Sequence, residues 1–464
     1  MKIKVHGAAG GEVTGSAYLV QTDKANVLID CGMFQGGKTS EAKNKLPQGA
    51  RVQDIDAVLL THGHLDHTGR VPLLVKFGFD GPIYATDETL ELSMIILQDS
   101  ARLQVADAVR KNKKFWKKGE PLAEALYTTE HVEIMSELTR AVITNTPVAV
   151  ADGITATWIE AGHMLGSGSI KLEVTENGKK KTVVFSGDLG PLTLPFLKPF
   201  EHFDKADLVF LESTYGDRDH KPYDETIAEF EAIVLDACKA GGKMLVPSFA
   251  IGRAQQIIYH LADLFHSNRI PAFPVYLDSP MALSAFMTYR KNEDSMDEEF
   301  HALKKKGVFP LDTKYFIPSQ TATSSKALNN VKGPCMIIAG AGMCNGGRIL
   351  HHLAHNVGNP NTHILIVGYQ SYGSLGRRLV EKAQKISIFG EEREVRAQVH
   401  TLNGFSAHAG QTDLLKWFSY MAPSKPNVVL THGEDIPRTA LAVCLKKQHK
   451  INATLAKIGD VFEV

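Results

Sequence analysis

Short apolar runs that stop at polar or glycine positions fill the amino-terminal part of this chain. Lys2 to Val5, Asn26-Val27-Leu28-Ile29, Ala57-Val58-Leu59-Leu60 and Ile170 to Thr175 have strand length, and turn residues follow them. Asn177-Gly178, between Ile170–Thr175 and Thr182–Phe185, predicts a two-residue hairpin, because both residues tolerate positive φ. Apolar positions then recur at helical spacing from about Thr86 to Lys118, through Leu90, Ile95 and Leu103. From about Tyr223, helical stretches alternate with short apolar runs at Met244–Val246, Val275–Leu277, Cys335–Ala339 and Ile364–Gly368. Such alternation predicts a parallel sheet covered by helices. Residues 393 to 464 return to the first style, with strands expected near Val395–His400 and Val428–Leu430. The middle therefore reads as an insertion, and the chain divides into a first part at 1–214, an inserted domain at 215–392 and a last part at 393–464.

At 464 residues two or three domains are expected, and 44% apolar with 22% charged residues is ordinary for a soluble globular protein. No apolar stretch approaches the roughly 18 residues of a membrane span. The start, Met1-Lys2-Ile3-Lys4-Val5, reads as a strand rather than a signal peptide, which points to the cytoplasm. Five cysteines without a C-x-x-C pair fit a reducing compartment and give neither a disulfide framework nor a thiolate zinc site. Cys31 reads as a small buried thiol. Basic and acidic side chains balance at 51 each, so a polyanionic partner must be met by a local patch.

Directly after Ala57–Leu60 comes Thr61-His62-Gly63-His64-Leu65-Asp66-His67, with three imidazoles and a carboxylate in one short arc. These are donor types that zinc takes, and a strand end gives them a rigid base. Six residues cannot complete two metal sites, so partners must come from elsewhere. His163 lies in the glycine-flanked Gly162-His163-Met164-Leu165-Gly166-Ser167. Asp188 follows a strand in Ser186-Gly187-Asp188, and His432 ends another in Leu430-Thr431-His432-Gly433-Glu434.

Together these motifs resemble the metallo-β-lactamase fold. Phe210-Leu211-Glu212-Ser213-Thr214-Tyr215-Gly216, Val246-Pro247-Ser248-Phe249-Ala250-Ile251-Gly252-Arg253, Gly342-Met343-Cys344 and Phe405-Ser406-Ala407-His408 narrow the resemblance to the β-CASP family of RNA-processing nucleases. That family includes the endonuclease subunit of the eukaryotic cleavage and polyadenylation machinery and its short prokaryotic relatives. The resemblance implies an α/β fold, an αββα sandwich with an inserted α/β β-CASP domain that covers the metal cleft and leaves a slot for a single strand. It implies two Zn²⁺ per chain: His62, His64 and His163 on one, Asp66, His67 and His432 on the other, Asp188 between them. Asp30, in Asp30-Cys31-Gly32, would orient a ligand loop rather than touch metal.

The reaction it implies is hydrolysis of single-stranded RNA by a zinc-bridging hydroxide, internally or also from the 5′ end, leaving a 5′-phosphate and a 3′-hydroxyl. Catalysis would rest on Asp66, Glu212 and His408, with His408 as general acid and Glu212 holding its imidazole. His220, Arg253 and Arg348 are candidate phosphate contacts. Arg110–Lys118, with six basic residues around Phe115 and Trp116, reads equally as a strand-tracking patch and as a solvated helix end. Ala341 stands where relatives commonly have serine and Tyr372 where an acid is frequent, which touches substrate preference and not the metal chemistry. No KH or similar module is recognisable, so RNA specificity rests on a partner, on a homodimer, or on structure in the RNA. The rivals are a small-molecule ester or thioester hydrolase, a DNA-directed nuclease and a scaffold without metal. Zero net charge favours the first, but neither the inserted α/β domain nor the Glu212–His408 pair is needed to hydrolyse a small thioester. The family's association of histidine at 432 with RNA enzymes weighs against the second, and the full ligand set against the third.

Overall fold

The computed structural model describes residues 1–36, 40, 42–115, 122–371 and 373–464. They form two compact units. One comprises Met1–Leu192, Pro199–Asp219 and His408–Val464, the other Thr193–Lys198 and His220–Ala407.

In the first unit alternate side chains of one strand enter different cores. Leu208 and Phe210 join a core with Ile3, Val27, Ile29, Leu59, Trp158, Leu172 and Phe185. Val209 and Leu211, from the same strand, pack with Leu414, Trp417, Phe418, Leu441 and Leu445 on the helices Gln411–Ser419 and Asp435–His449. On the other side Leu28 and Val58 pack with Leu97, Ala101, Val132 and Met135 of Asp87–Phe115 and Thr129–Leu138. Period-two burial on both faces makes four layers, helix, sheet, sheet, helix. One sheet runs in the order Val461–Glu463, Lys2–Val5, Tyr18–Gln21, Asn26–Ile29, Ala57–Leu59, Ile83–Thr86, Thr139–Val142. The other runs Ala453–Leu455, Asn427–Thr431, Leu208–Glu212, Lys179–Phe185, Gly168–Glu176, Ile154–Glu160, Val148–Ala151. Asn177 and Gly178 have φ of 52° and 73° and close the expected hairpin between Glu176 and Lys179.

Strand direction places the ligands. Asn26–Ile29 and Ala57–Leu59 are parallel, so Asp30 and the His62 segment leave the same sheet edge. Lys179–Phe185, Leu208–Glu212 and Asn427–Thr431 are mutually parallel, so Asp188, Glu212 and His432 gather at one edge of the other sheet.

The second unit carries a parallel sheet in the order Ile317–Pro318, Val275–Leu277, Cys335–Ala339, Lys243–Pro247, His363–Ile366, Gln398–Thr401. Its last strand, Gln398–Thr401, lies in the stretch that the sequence pattern assigns to the last part of the chain. That strand pairs with His363–Ile366, and the second unit runs to Ala407. A short alternating run carries no mark of which sheet edge it will join. Thr193–Lys198 also belongs here, where Phe196 meets the rings of Tyr259, Tyr289 and Phe300.

Asp278, at the end of Val275–Leu277, is fully buried and accepts from Ser325 Oγ at 2.6 Å and Arg348 Nη1 at 2.7 Å, with His352 Nε2 at 2.6 Å. Burial alone would raise this carboxyl, but bonds from His352, Ser325, Ser319 and Arg348 hold it at about 2. Asp278→Ala is expected to destabilise the second unit by about 3 kcal/mol, because it strands an arginine and a histidine among buried groups. A fall in the urea midpoint at unchanged m-value is the check. The depressed acid also predicts that its contribution persists above the unfolded carboxyl value and fades as pH falls from there through about 2.

No helix among the described residues is long and apolar enough to cross a membrane.

Candidate metal centre

After Ala57–Leu59 the chain presents His62, then His64 at the N-cap of a short helix, Leu65–Thr68, that carries Asp66 and His67. The strand-end arc read from the sequence thus contains a helical turn. The Asp30-Cys31-Gly32 turn lies flat on that helix: Cys31 N–H donates to His67 O at 2.8 Å, and a Cβ on Gly32 would stand 1.5 Å from Asp66 O. Only glycine fits there. Gly190 plays the same part between the His163 and Asp188 loops, since a Cβ would stand 1.8 Å from Gly162 O.

The expected ligands converge on two adjoining points. His62, His64, His163 and Asp188 form one group, and Asp66, His67 and His432 another. In the first, His64 Nδ1 lies 3.1 Å from His163 Nε2, and Asp188 Oδ2 lies 3.5 Å from His62 Nε2 and 3.7 Å from His163 Nε2. In the second, His67 Nε2 lies 3.3 Å from His432 Nε2, and Asp66 Oδ2 lies 3.4 Å from His432 Nε2. Asp188 Oδ1 lies 3.4 Å from His67 Nε2. The two oxygens of Asp188 therefore face different groups.

Three observations fit a metal pair. Two nitrogens each about 2.05 Å from one tetrahedral zinc stand about 3.3 Å apart, the spacing of these histidine pairs. His62 Nε2 and Asp188 Oδ1 are buried without a hydrogen-bond partner, a costly condition for a protein interior that a cation relieves. The local field also calls for positive charge. Burial alone would push the His67 imidazole down, but the Asp188 and Asp30 carboxylates hold it well above the usual histidine value. Burial would likewise raise Asp188, yet His432, His67 and His62 hold it well below the carboxylate range, while Asp66 sits at about 2. His62, deepest in the cluster, is driven well down by burial and by neighbouring His67.

Behind the donors lies a shell that orients them. Asp30 Oδ2 meets His67 Nδ1 at 2.7 Å, and Asp30 is itself held by the Thr61 N–H and hydroxyl, each at 2.8 Å. This is the orienting role expected of Asp30. Its φ of 55° and that of His432, 49°, are positive, a strain found where function over-determines the backbone. Thr214 touches both Glu212 Oε2, at 2.6 Å, and His432 Nδ1, at 3.1 Å. The sequence reading missed Thr61 and Thr214; a hydroxyl two residues after Glu212, or beside His62, was the available signal.

His408 and Glu212 meet as expected, with Nδ1 3.4 Å from Oε1, and Glu212 is fixed by the Leu189 N–H at 2.7 Å. The His408 ring lies 4.6 Å from that of His163. Burial would lower His408, but the Glu212 carboxylate outweighs it and raises the imidazole.

The three candidate phosphate contacts lie in the second unit. Arg253 is buried and bonds to Gln256; His220 is half-buried. Arg348 is drawn onto Asp278, Ser319 O at 2.8 Å and Gln320 O at 2.7 Å, so it clamps one end of the sheet. Arg110–Lys113 lie on the exposed end of the Asp87–Phe115 helix; Trp116, Lys117, Lys118 and Tyr372 lie outside the described residues.

Comparison with known proteins bears on what this centre is. The chain is 41% identical to Ribonuclease TTHA0252 of Thermus thermophilus over 465 aligned positions, covering 99% of both chains. The model of the metallo-beta-lactamase superfamily matches residues 10–235 and that of the Beta-Casp domain matches 254–379. The chain belongs to the β-CASP family of metallo-β-lactamase-fold, metal-dependent hydrolases. A third model, that of the Zn-dependent metallo-hydrolase RNA specificity domain, matches residues 392–456, beginning within the second unit. Transcription termination factor FttA of Methanosarcina mazei is 30% identical over 96% of this chain and 69% of its own. A crystal structure of a protein of unknown function from Enterococcus faecalis V583 shares the β-CASP chain's fold, with a TM-score of 0.53 at 12% identity, over 100% of this chain and 99% of that one.

Proposed function

We propose that this chain is a zinc-dependent ribonuclease that cuts single-stranded RNA internally, in the cytoplasm, to leave a 5′-phosphate and a 3′-hydroxyl. The observation that carries the reading is the pairing of His408 with Glu212 beside a seven-donor cluster, 3.4 Å between Nδ1 and Oε1. A thioester or lactone needs no acid of that kind, whereas a departing ribose oxygen gains about 10²- to 10⁴-fold from one. The ribonuclease named among the relatives supports the same substrate.

His62, His64 and His163 would hold one zinc, Asp66, His67 and His432 the other, with Asp188 shared. When bound, the pair supplies a nucleophile at neutral pH and polarises the scissile phosphoryl group. The chain's own residues do the rest. Glu212 accepts from His408 Nδ1–H, which fixes the ring and leaves Nε2–H to protonate the leaving 3′-oxygen. Asp30 performs the equivalent task for His67. His220, Arg253 and Arg348 are the candidate phosphate contacts; the Arg348 fork is engaged by Asp278 and two carbonyls, and Arg253 is buried against Gln256.

Single-stranded RNA labelled at either end, incubated with protein and zinc, is expected to give internal fragments that vanish on chelation and in Asp66→Ala. A ladder growing from the 5′ end instead would identify trimming. Zinc-loaded protein that leaves RNA intact while hydrolysing a thioester would overturn the reading.

A further inference from the structure

Glu212 faces two histidines. Its Oε1 meets His408, and its Oε2 meets Thr214, whose hydroxyl reaches on to His432. Resting on the function proposed above, we propose that Thr214 is a positioning residue that sets the tautomer of His432 and thereby which of its nitrogens faces the second metal.

The argument is one of counting protons. A threonine hydroxyl has one hydrogen to give and lone pairs to accept with. Thr214 Oγ1 lies 2.6 Å from Glu212 Oε2, 3.1 Å from His432 Nδ1 and 3.1 Å from the His432 carbonyl. The shortest contact is to a carboxylate, the strongest acceptor of the three, so the hydrogen goes there. His432 Nδ1 can then approach Oγ1 only as an N–H donor, and the lone pair of the neutral ring stays on Nε2.

Proximity alone does not make that choice. His432 Nδ1 lies 3.4 Å from Asp188 Oδ1, while Nε2 lies 3.4 Å from Asp66 Oδ2 and 3.3 Å from His67 Nε2. Either nitrogen could turn to a cation near Asp188. The hydroxyl decides for Nε2, which brings Asp66, His67 and His432 onto one point. His67, the other imidazole of that group, is oriented by Asp30 directly at 2.7 Å. The second metal site thus has one imidazole fixed by a carboxylate and one fixed by a carboxylate acting through a hydroxyl. Thr214 is buried, so no solvent competes for its contact with the His432 ring.

Thr214→Val keeps the shape and removes the hydroxyl; Thr214→Ser keeps the hydroxyl. Zinc affinity measured by chelator competition on the full chain is expected to show two zinc ions in the wild type and the serine variant. In the valine variant the second is expected to be weaker by about 10- to 100-fold, the usual cost of losing an orienting partner. Histidine ¹⁵N shifts of the zinc-loaded wild type are expected to report Nδ1–H for His432, a readout that does not depend on either variant folding. Valine that binds both ions like the wild type, serine that loses as much as valine, or an Nε2–H ring at His432 would overturn the role of Thr214. A wild type that takes up no zinc would instead remove the function proposed above, and this inference with it.

Discussion

Asp188→Ala should lose RNA hydrolysis by at least about 10³-fold, because Lewis-acid stabilisation amounts to several kcal/mol and each 1.36 kcal/mol is a factor of ten. It is the substitution with the largest expected effect on metal content as well. Asp188 Oδ2 stands 3.5 Å from His62 Nε2 and 3.7 Å from His163 Nε2, and its Oδ1 stands 3.4 Å from His67 Nε2. Asp188 thus faces both groups of donors. Removing it takes one anionic donor from each, and it also removes charge that His67 and the other imidazoles otherwise face across the cluster. On the proposal of two zinc ions per chain, metal content after gel filtration should fall from two to one or none, alongside the loss of cleavage. A variant that kept both metals and cut RNA at near the wild-type rate would show that Asp188 is a bystander. Asp66→Ala is expected to be milder in metal content, since that carboxylate serves only the second group.

The candidate donors stand out in the sequence through local spacing and few residue types, while their division between two metals comes from the resemblance. His62, His64, Asp66 and His67 fall within one arc, and His163, Asp188 and His432 each follow an apolar run, so strand direction brings them to adjoining sheet edges. The four-layer architecture came from resemblance; periodicity alone gave strands and a middle region of alternating strands and helices. What could not be read was pairing over long distances. Gln398–Thr401 looks like the strands around it, yet its partner is His363–Ile366, and Thr193–Lys198 joins the second unit through the ring of Phe196. Arg348 is one of three candidate phosphate contacts that the sequence offers in the inserted domain. Its fork is drawn to Asp278, an acid 70 positions away in sequence. Thr214 was invisible for a related reason: a hydroxyl gains its meaning from which atoms it lies between, and spacing does not report that.

His408→Ala should slow cleavage of RNA by about 10²- to 10⁴-fold while leaving both metals and KM in place. The reason lies in the leaving group. A ribose 3′-oxygen departs as a strongly basic alkoxide unless it is protonated, so an acid matters in the transition state and little in the ground state. A phosphodiester with a nitrophenolate leaving group needs no such proton. The same variant should therefore hydrolyse bis-p-nitrophenyl phosphate at close to the wild-type rate. This contrast separates two roles that geometry places side by side. Asp188, Glu212, His408 and His432 themselves approach closely enough to hold an ion, and His408 Nδ1 lies 4.0 Å from Asp188 Oδ2. If His408 were a ligand, its loss would lower metal content and slow both substrates alike. If it is the acid held by Glu212, only the poor leaving group suffers, and Glu212→Gln should reproduce the pattern more weakly by loosening the ring without removing it.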